Sequence, residues 1–422
     1  MAEISRTATQ IKTNMLQSVK KKLKDNRFVH TLWSDFRNRH HNVIIEKEQY
    51  EYEKRALEMG LSLEEESAQI VFQRLRDRLA TRGISWPPDP AGRDLHIVFC
   101  TTKSNELEQA NIPPELERIV KVTCYYVDRR WKNPNQDRLR ERTFVDRDLP
   151  VFLEQIAKES PVDIVLSYLS GSSISRDTII RINDMGIATF LFHQDDRLYF
   201  RGRKIGDQWT GPADVCASYD LNLTNCPKSL IKYRVEGGNA LFWPSAANRD
   251  FCVPRDLPFE YDVSFIGAKY GVRSSLVHYL KSNGIHVECF GPGWKNGRVS
   301  DDRMIDIYSK SRINLGISYV GYSSYQCLKG RDFEVPMCGA LYLTSMNEDL
   351  GRVYRIGEEI AVYTDFQDCL RQIGKLLADP DRCARMRSAV REAGLRRHTR
   401  EIRVRALLEC KASVPDPSAD TI

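Results

Sequence analysis

Apolar residues in this chain gather into short runs separated by amphipathic stretches, and the spacing changes character once, near residue 93. Beyond that point LHIVFC (95–100), IVKVTCYYV (119–127), DIVLSYL (163–169), IATFLFH (187–193) and VCASYDLNLT (215–224) read as buried strands. Helical patterns lie between them, including Val151–Lys158 and Arg176–Met185. The alternation restarts after Trp243-Pro244-Ser245-Ala246 with YDVSFIGA (261–268), HVECFG (286–291), INLGIS (313–318), ALYLT (340–344) and IAVYT (360–364). Helices are predicted over Arg273–Ser282, Arg303–Ser309 and Gln367–Leu377. Strands alternating with helices build parallel sheets with helices on their faces. Two such series predict an α/β protein of two Rossmann-like domains facing across a cleft.

The first ninety or so residues contain no convincing strand and predict a helical extension. Ser62-Leu63-Glu64-Glu65 reads as a capping box, followed by Val71, Leu75 and Leu79 at helical spacing and by Gly83 as a stop. Trp86–Gly92 is proline-rich and reads as a stiff linker. The expected boundaries are 1–92 for the extension, 93–245 and 246–395 for the two domains, and 396–422 for a terminal helix and tail. Arg385, Arg387, Arg391, Arg396, Arg397, Arg403 and Arg405 read as solvated helix faces rather than a nucleic-acid patch. The basic stretch Lys20-Lys21-Lys22-Leu23-Lys24 has two readings, a solvated helix face or a contact with a partner or membrane surface.

Composition narrows the class. The chain has 422 residues, 41% hydrophobic and 28% charged, with formal net charge +6, which permits anionic ligands without indicating nucleic acid. Its eleven cysteines are scattered and never form C-x-x-C, so thiols of a cytoplasmic protein are expected rather than a zinc site or disulfide framework. Asn222-Leu223-Thr224 matches a glycosylation acceptor and reads as chance in that setting. No apolar run suits a membrane span and no secretory pattern opens the chain. G-x-G-x-x-G, Walker, H-E-x-x-H and kinase signatures are absent from the sequence.

Three stretches carry candidate chemistry. In LKGRDFEVPMCGALYLTS (328–345), Lys329 and Arg331 stand where a helix should start. Cations oppose the helix dipole there by roughly 0.3–1 kcal/mol each unless an anion joins them. A diphosphate beside them would leave Glu334 to accept hydrogen bonds from ribose hydroxyls. Pro336 predicts that the helix starts late or bends. In FIGAKYGVR (265–273), Gly267 permits close backbone approach while Lys269 and Arg273 flank the next helix. In FHQDDRLYF (192–200), His193, Asp195 and Asp196 end a first-domain strand facing the cleft, His193 as a catalytic candidate and the two aspartates as acceptor-side candidates; two adjacent carboxylates make a weak metal signal, so no metal is expected. FGPGW (290–294) places Gly291 and Trp294 as candidates for the base pocket or as a plain tight turn.

YDVSFIGAKYGVR, HVECFGPGW, IYSKSRINLGIS, LKGRDFEVPMCGALYLTS, IGEEIAVYTDFQDCLRQI and RRHTREIRVRALL occur in that order and resemble the carboxyl-terminal half of CgeB-like (spore maturation protein) group 1 glycosyltransferases over roughly 260–408. The resemblance implies a GT-B fold, a nucleotide-sugar held mainly by the second domain and an unknown acceptor mainly by the first. It implies hexosyl transfer with retained configuration and no cofactor. Within it Glu334 takes the place of the second Glu of a Glu-x7-Glu motif, and Gln326 stands where the first would fall. Lys269 and Arg273 take the place of the diphosphate-binding cations, and His193 that of a first-domain polar residue facing the donor. A non-catalytic partner protein on the same fold, or an epimerase, are the rival readings.

Overall fold

The computed structural model describes residues 27–89, 92–103, 112–131, 138–205 and 208–420. In the first lobe, β1 (His96–Thr101), β2 (Lys121–Tyr126), β3 (Ile164–Ser167), β4 (Ala188–His193), β5 (Leu221–Thr224) and β6 (Ala240–Phe242) form one sheet, in the order β2-β1-β3-β4-β5-β6. In the second lobe, β7 (Tyr261–Ile266), β8 (Val287–Phe290), β9 (Ser311–Gly316), β10 (Tyr342–Ser345) and β11 (Ala361–Tyr363) form a sheet in the order β8-β7-β9-β10-β11. Every neighbouring pair in both sheets is parallel. Both lobes therefore share one doubly wound plan, with the order reversing beside the first strand of each sheet.

The strands form because their residues must bury both faces. Ile97 and Phe99 of β1 enter the layer shared with Val71, Phe72 and Leu75, whereas Val98 and Cys100 enter the opposite layer with Val145, Leu149 and Leu153. Each such side chain contributes about 1.5–3 kcal/mol of burial. Another cluster joins Tyr52, Phe200 and Phe242 to Tyr308, Phe333 and Tyr354, so the lobes share an apolar core.

Several expected elements move. Only the last four residues of VCASYDLNLT form β5, because Pro212 starts a helical turn over Pro212–Val215. β6 was too short to signal itself. Val151–Lys158 proves to be the end of a longer helix. The capping box also shifts: Ser62 Oγ accepts from the N–H of Glu64 two residues on, while Ser67 is extended and caps Ala68–Ala80.

Helices α1 (Arg27–Glu58), α2 (Ala68–Ala80), α3 (Arg138–Glu159), α4 (Arg273–Ser282), α5 (Arg331–Met337), α6 (Pro380–Arg397) and α7 (Arg400–Leu408) matter most here. α1 lies across both lobes. Its Glu48 pairs with Lys232 Nζ at 2.7 Å and Tyr52 donates to Glu236 at 2.8 Å in the first lobe. Toward the second lobe, His41 Nδ1 accepts from the N–H of Tyr322 at 3.2 Å and Glu46 accepts from Tyr325 at 2.8 Å. Lys20–Lys24 lies outside the described residues. No helix among the described residues is long and apolar enough to cross a membrane.

The terminal arginines are not all solvated, which corrects the sequence reading. Arg397 and Arg403 are buried. Arg397 pairs with Glu359 at 2.6 Å, and Arg403 donates to the carbonyls of Arg397 and Ser413 at 2.6 and 2.9 Å. They pack because chain ends and carbonyls left open where α6 turns into α7 need donors.

Candidate functional site

The carboxyl ends of the two sheets meet. Asp195, two residues beyond β4, forms an ion pair with Lys329 Nζ, from the turn that opens α5. Burial penalises both charges, and their attraction outweighs it: Asp195 is held below the usual carboxylate range and Lys329 above the usual ammonium range. Asp195 also adopts a left-handed backbone (φ 60°, ψ 24°), a conformation Asp tolerates better than most residues.

In the second sheet, the crevice opened by the reversal of strand order lies between β7 and β9. Arg273, first residue of α4 and only 5% exposed, spans it. Its Nη1 donates to the carbonyl of Ala268 at 2.9 Å, just beyond β7, and its Nη2 to Ile317 at 3.3 Å, just beyond β9. The guanidinium lies 4.0 Å from the centre of the Tyr270 ring. Arg331, first residue of α5, donates Nη1 to the carbonyl of Ile266 and lies 5.1 Å from the Phe265 ring centre. Gly267 separates the two: a Cβ there would stand 2.7 Å from Arg331 Nη1 and 3.4 Å from Arg273 Nη1. Only glycine lets both cations close on this strand end.

The pair is electrostatically incomplete. The Nε of Arg273 and the Nε of Arg331 are both buried without an acceptor among the described residues. A buried donor left unmatched costs about 1–3 kcal/mol. Burial, then the charge of Arg331, push the Arg273 guanidinium down to about 10. Burial also acts against Arg331, but Tyr342, Tyr308, Asp332 and Glu334 outweigh it and raise its pKa. Two like charges held out of water with idle N–H groups are chemically suited to an anion with several oxygens.

Helix α5 holds Arg331 despite Pro336. Contrary to the late start or bend expected, the helix runs from Arg331 through Pro336 to Met337. The carbonyl of Asp332 that proline leaves unmatched accepts from the Tyr354 hydroxyl at 2.8 Å instead. The Asp332 carboxylate is fully buried and accepts from the Lys329 N–H at 2.6 Å and from Tyr342 at 2.5 Å. Glu334 is half-buried one turn beyond Arg331, and its charge is felt by Arg331, Tyr308 and Cys252.

The remaining candidates fall into two groups. Gly291 packs against Gly267, where a Cβ would approach the Gly267 carbonyl oxygen to 2.5 Å, and Trp294 Nε1 donates to that same oxygen at 2.8 Å. Both brace the strand end that carries the guanidiniums. Lys269 is exposed, its Nζ 5.2 Å from the Trp294 ring centre. On the first lobe, Asp196 is fully buried; it binds His193 Nδ1 and accepts from Tyr233 at 2.8 Å. Burial disfavours its charge, but His193, Thr224 and Tyr233 outweigh that and keep it low. His193 stacks on Tyr168 with ring centres 5.8 Å apart.

Thus Arg273, Arg331 and Gly267 come together with Glu334 nearby, Lys329 is engaged by Asp195, and Asp196 orients His193. Lys269 stands at the rim. Sequence reasoning missed Tyr270, Asp332 and Tyr354. The first two lie inside the quoted motifs, where attention to cations passed over them; Tyr354 carried no signal at all.

Residues 273–409 match the model of a family described as glycosyl transferase-like. No curated protein matches the chain. Among solved structures, a sucrose-phosphate synthase from Thermosynechococcus elongatus is similar at TM-score 0.51 and 11% identity, over 75% of this chain and 96% of that one. A glycosyltransferase from Rickettsia africae gives 0.49 at 12% identity, over 75% and 96%. Anabaena HepE in complex with UDP gives 0.47 at 9% identity, over 75% and 100%. The first likeness shows the fold: two facing parallel-sheet lobes of the GT-B type, here with amino-terminal helices laid across them.

Proposed function

We propose that this chain is a glycosyltransferase of group 1 type, moving a hexosyl unit from a nucleotide-diphosphate donor to an acceptor with retained configuration and without a metal ion. The observation that carries the reading is the guanidinium pair at the second sheet's reversal point, each with a buried Nε lacking an acceptor. As the glycosidic bond to the donor breaks, negative charge grows on the departing diphosphate. Arg273 and Arg331 would stabilise it with donors already in place, the kind of preorganisation that often dominates catalysis. Lys269 adds attraction from the rim. Glu334 takes the ribose hydroxyls, and Gly291 and Trp294 keep Gly267 in position beneath the phosphates. Across the gap, His193 presents Nε2 to the reacting sugar because Asp196 holds Nδ1, and Asp195 with Lys329 borders the acceptor side. Closure of the lobes would exclude water and limit wasteful donor hydrolysis.

Calorimetry tests the ribose assignment. Glu334→Ala is expected to weaken a matched nucleoside diphosphate about tenfold or more while leaving inorganic pyrophosphate unchanged. Undiminished nucleotide affinity would remove Glu334 from the site.

A second reading, a non-catalytic partner protein that keeps the pocket, draws on Gln326: its Oε1 is buried without a partner among the described residues, and it is neutral. Nucleotide binding without transfer or hydrolysis across a panel of donor sugars would favour that reading.

A further inference from the structure

A cavity of about 420 Å³ lies away from the guanidinium pair, in the size range of small-ligand sites, roughly 300–1,000 Å³. Four parts of the chain wall it: α1, the segment that follows it, and each of the two lobes. Its floor is apolar, with Ile231 and Phe242 from the first lobe. Its rim is acidic: Glu53, Glu64, Glu65, Glu66, Glu348 and Asp349 against Lys228, Arg234 and Arg352.

The cations are spoken for. Arg352 binds Glu65 through both terminal nitrogens at 2.8 Å each, Arg234 lies 3.4 Å from Glu66, which Arg74 also meets at 2.8 Å, and Lys228 lies 3.9 Å from Glu348, which Arg197 meets at 3.0 Å. Among the described residues Glu53 accepts only from the neutral Gln49, at 2.9 Å. Glu64 and Asp349 have no ion pair among the described residues. Asp349 supplies the observation that separates this cavity from a solvated acidic patch. It is 4% exposed, lines the cavity, and its carboxylate receives no hydrogen bond among the described residues. Its oxygens open into the cavity, so a charged donor placed there would meet an acceptor that no group among the described residues engages.

We propose that this cavity is a binding site for an aliphatic cation carrying two or more protonated amines, seated between the lobes. The spread of the carboxylates argues for several charges on one flexible chain. No group of three His, Cys, Asp or Glu among the described residues is close enough to hold a metal ion. The apolar floor suits methylene segments between the amines, and Arg352, 4.2 Å from the Phe242 ring centre, closes one side of it. Because Glu348 and Asp349 belong to the second lobe and Glu53 to α1, an occupant would tie these parts together. Burial, helped by the charges of Glu348 and Glu65 and opposed by Arg352 and Arg197, raises Asp349 to about 6, so affinity should fall as the solution is acidified through that region.

The test is calorimetric titration of the full chain with spermidine, and with glucosamine as the single-amine comparison. Spermidine is expected to bind saturably; Asp349→Asn should weaken it about tenfold and Glu64→Gln, at the exposed rim, about threefold. Nucleoside diphosphate affinity, read in parallel, is expected to be unchanged in both variants, which keeps this result separate from the fate of the transferase reading. Glu64→Gln carries the test alone if Asp349→Asn does not fold. No saturable binding of spermidine, equal affinity of wild type and the folded variants, or equal affinity for glucosamine each overturns the proposal.

Discussion

The carboxyl ends of the two sheets differ in one respect that separates a supporting network from a receptive one. On the first lobe, Asp196 is surrounded by His193, Thr224 and Tyr233, and its charge is fully answered. On the second, Arg273 and Arg331 spend some donors on backbone carbonyls and keep one buried N–H each in hand. Both places hold buried charges at strand ends. The first is complete without a ligand and works by fixing a histidine. The second leaves donors unspent among the described residues.

The sharpest way to break this contrast is Arg273→Ala, which should cut turnover about 10²-fold or more, as loss of a preorganised donor does. Arg273→Lys, which keeps the charge but loses the fork, should fall between. Steady-state kinetics beside a melting curve decides: unchanged turnover would mean that the idle N–H is mere strain.

Next comes a buried carboxyl outside the guanidinium site: Glu115 accepts from the Arg400 N–H through Oε1 at 2.9 Å, while its Oε2 is buried with no donor among the described residues. Burial, partly offset by Arg400, raises the Glu115 carboxyl from 4.5 to about 7. An acid raised in the folded state gains nothing below its unfolded value and penalises the fold above its folded value. Wild type should therefore lose stability relative to Glu115→Gln as pH climbs from about 4.5 to about 7, by no more than roughly 3 kcal/mol. Denaturation midpoints across that window measure it. A flat difference would show that Glu115 is already neutralised.

The smallest effect is expected at the seam. Asp195→Ala should cost about 1–2 kcal/mol, since Asp195 is 41% exposed while Lys329, at 16%, is left without its partner. Nucleoside diphosphate affinity should hold. A tenfold fall in that affinity would place the seam inside the donor pocket.

Much of the fold was legible because parallel sheets buried on both faces leave continuous apolar runs, and ten of these were long enough to read. β6, Ala-Leu-Phe, was not. Boundaries failed where two Ser residues competed as caps and where Pro212 diverted a strand. Gly267, Arg273, Arg331 and Glu334 were visible as motif residues, since cations beside a glycine after a strand are unusual. What pairs with what was not visible. Nothing in Lys329 distinguishes a phosphate ligand from the partner of Asp195, 134 residues away. The arginines of α6 and α7 misled for the same reason: exposure depends on tertiary neighbours, and a helical pattern rich in Arg looks solvated until Glu359 and the carbonyls of the crossover are placed around it.

Helix α1 has a mechanical consequence. From His41 to Tyr52 it is a rod of roughly 16 Å, pinned to the second lobe by His41 and Glu46 and to the first by Glu48 and Tyr52. A splint fixed at both ends cannot follow a rotation of one lobe without letting go of the other. The Glu48–Lys232 end is buried and ionic, whereas the Tyr322–Tyr325 end is held at half-buried and exposed positions. Any hinge in this molecule would shed its grip there first and leave the rod riding on the first lobe.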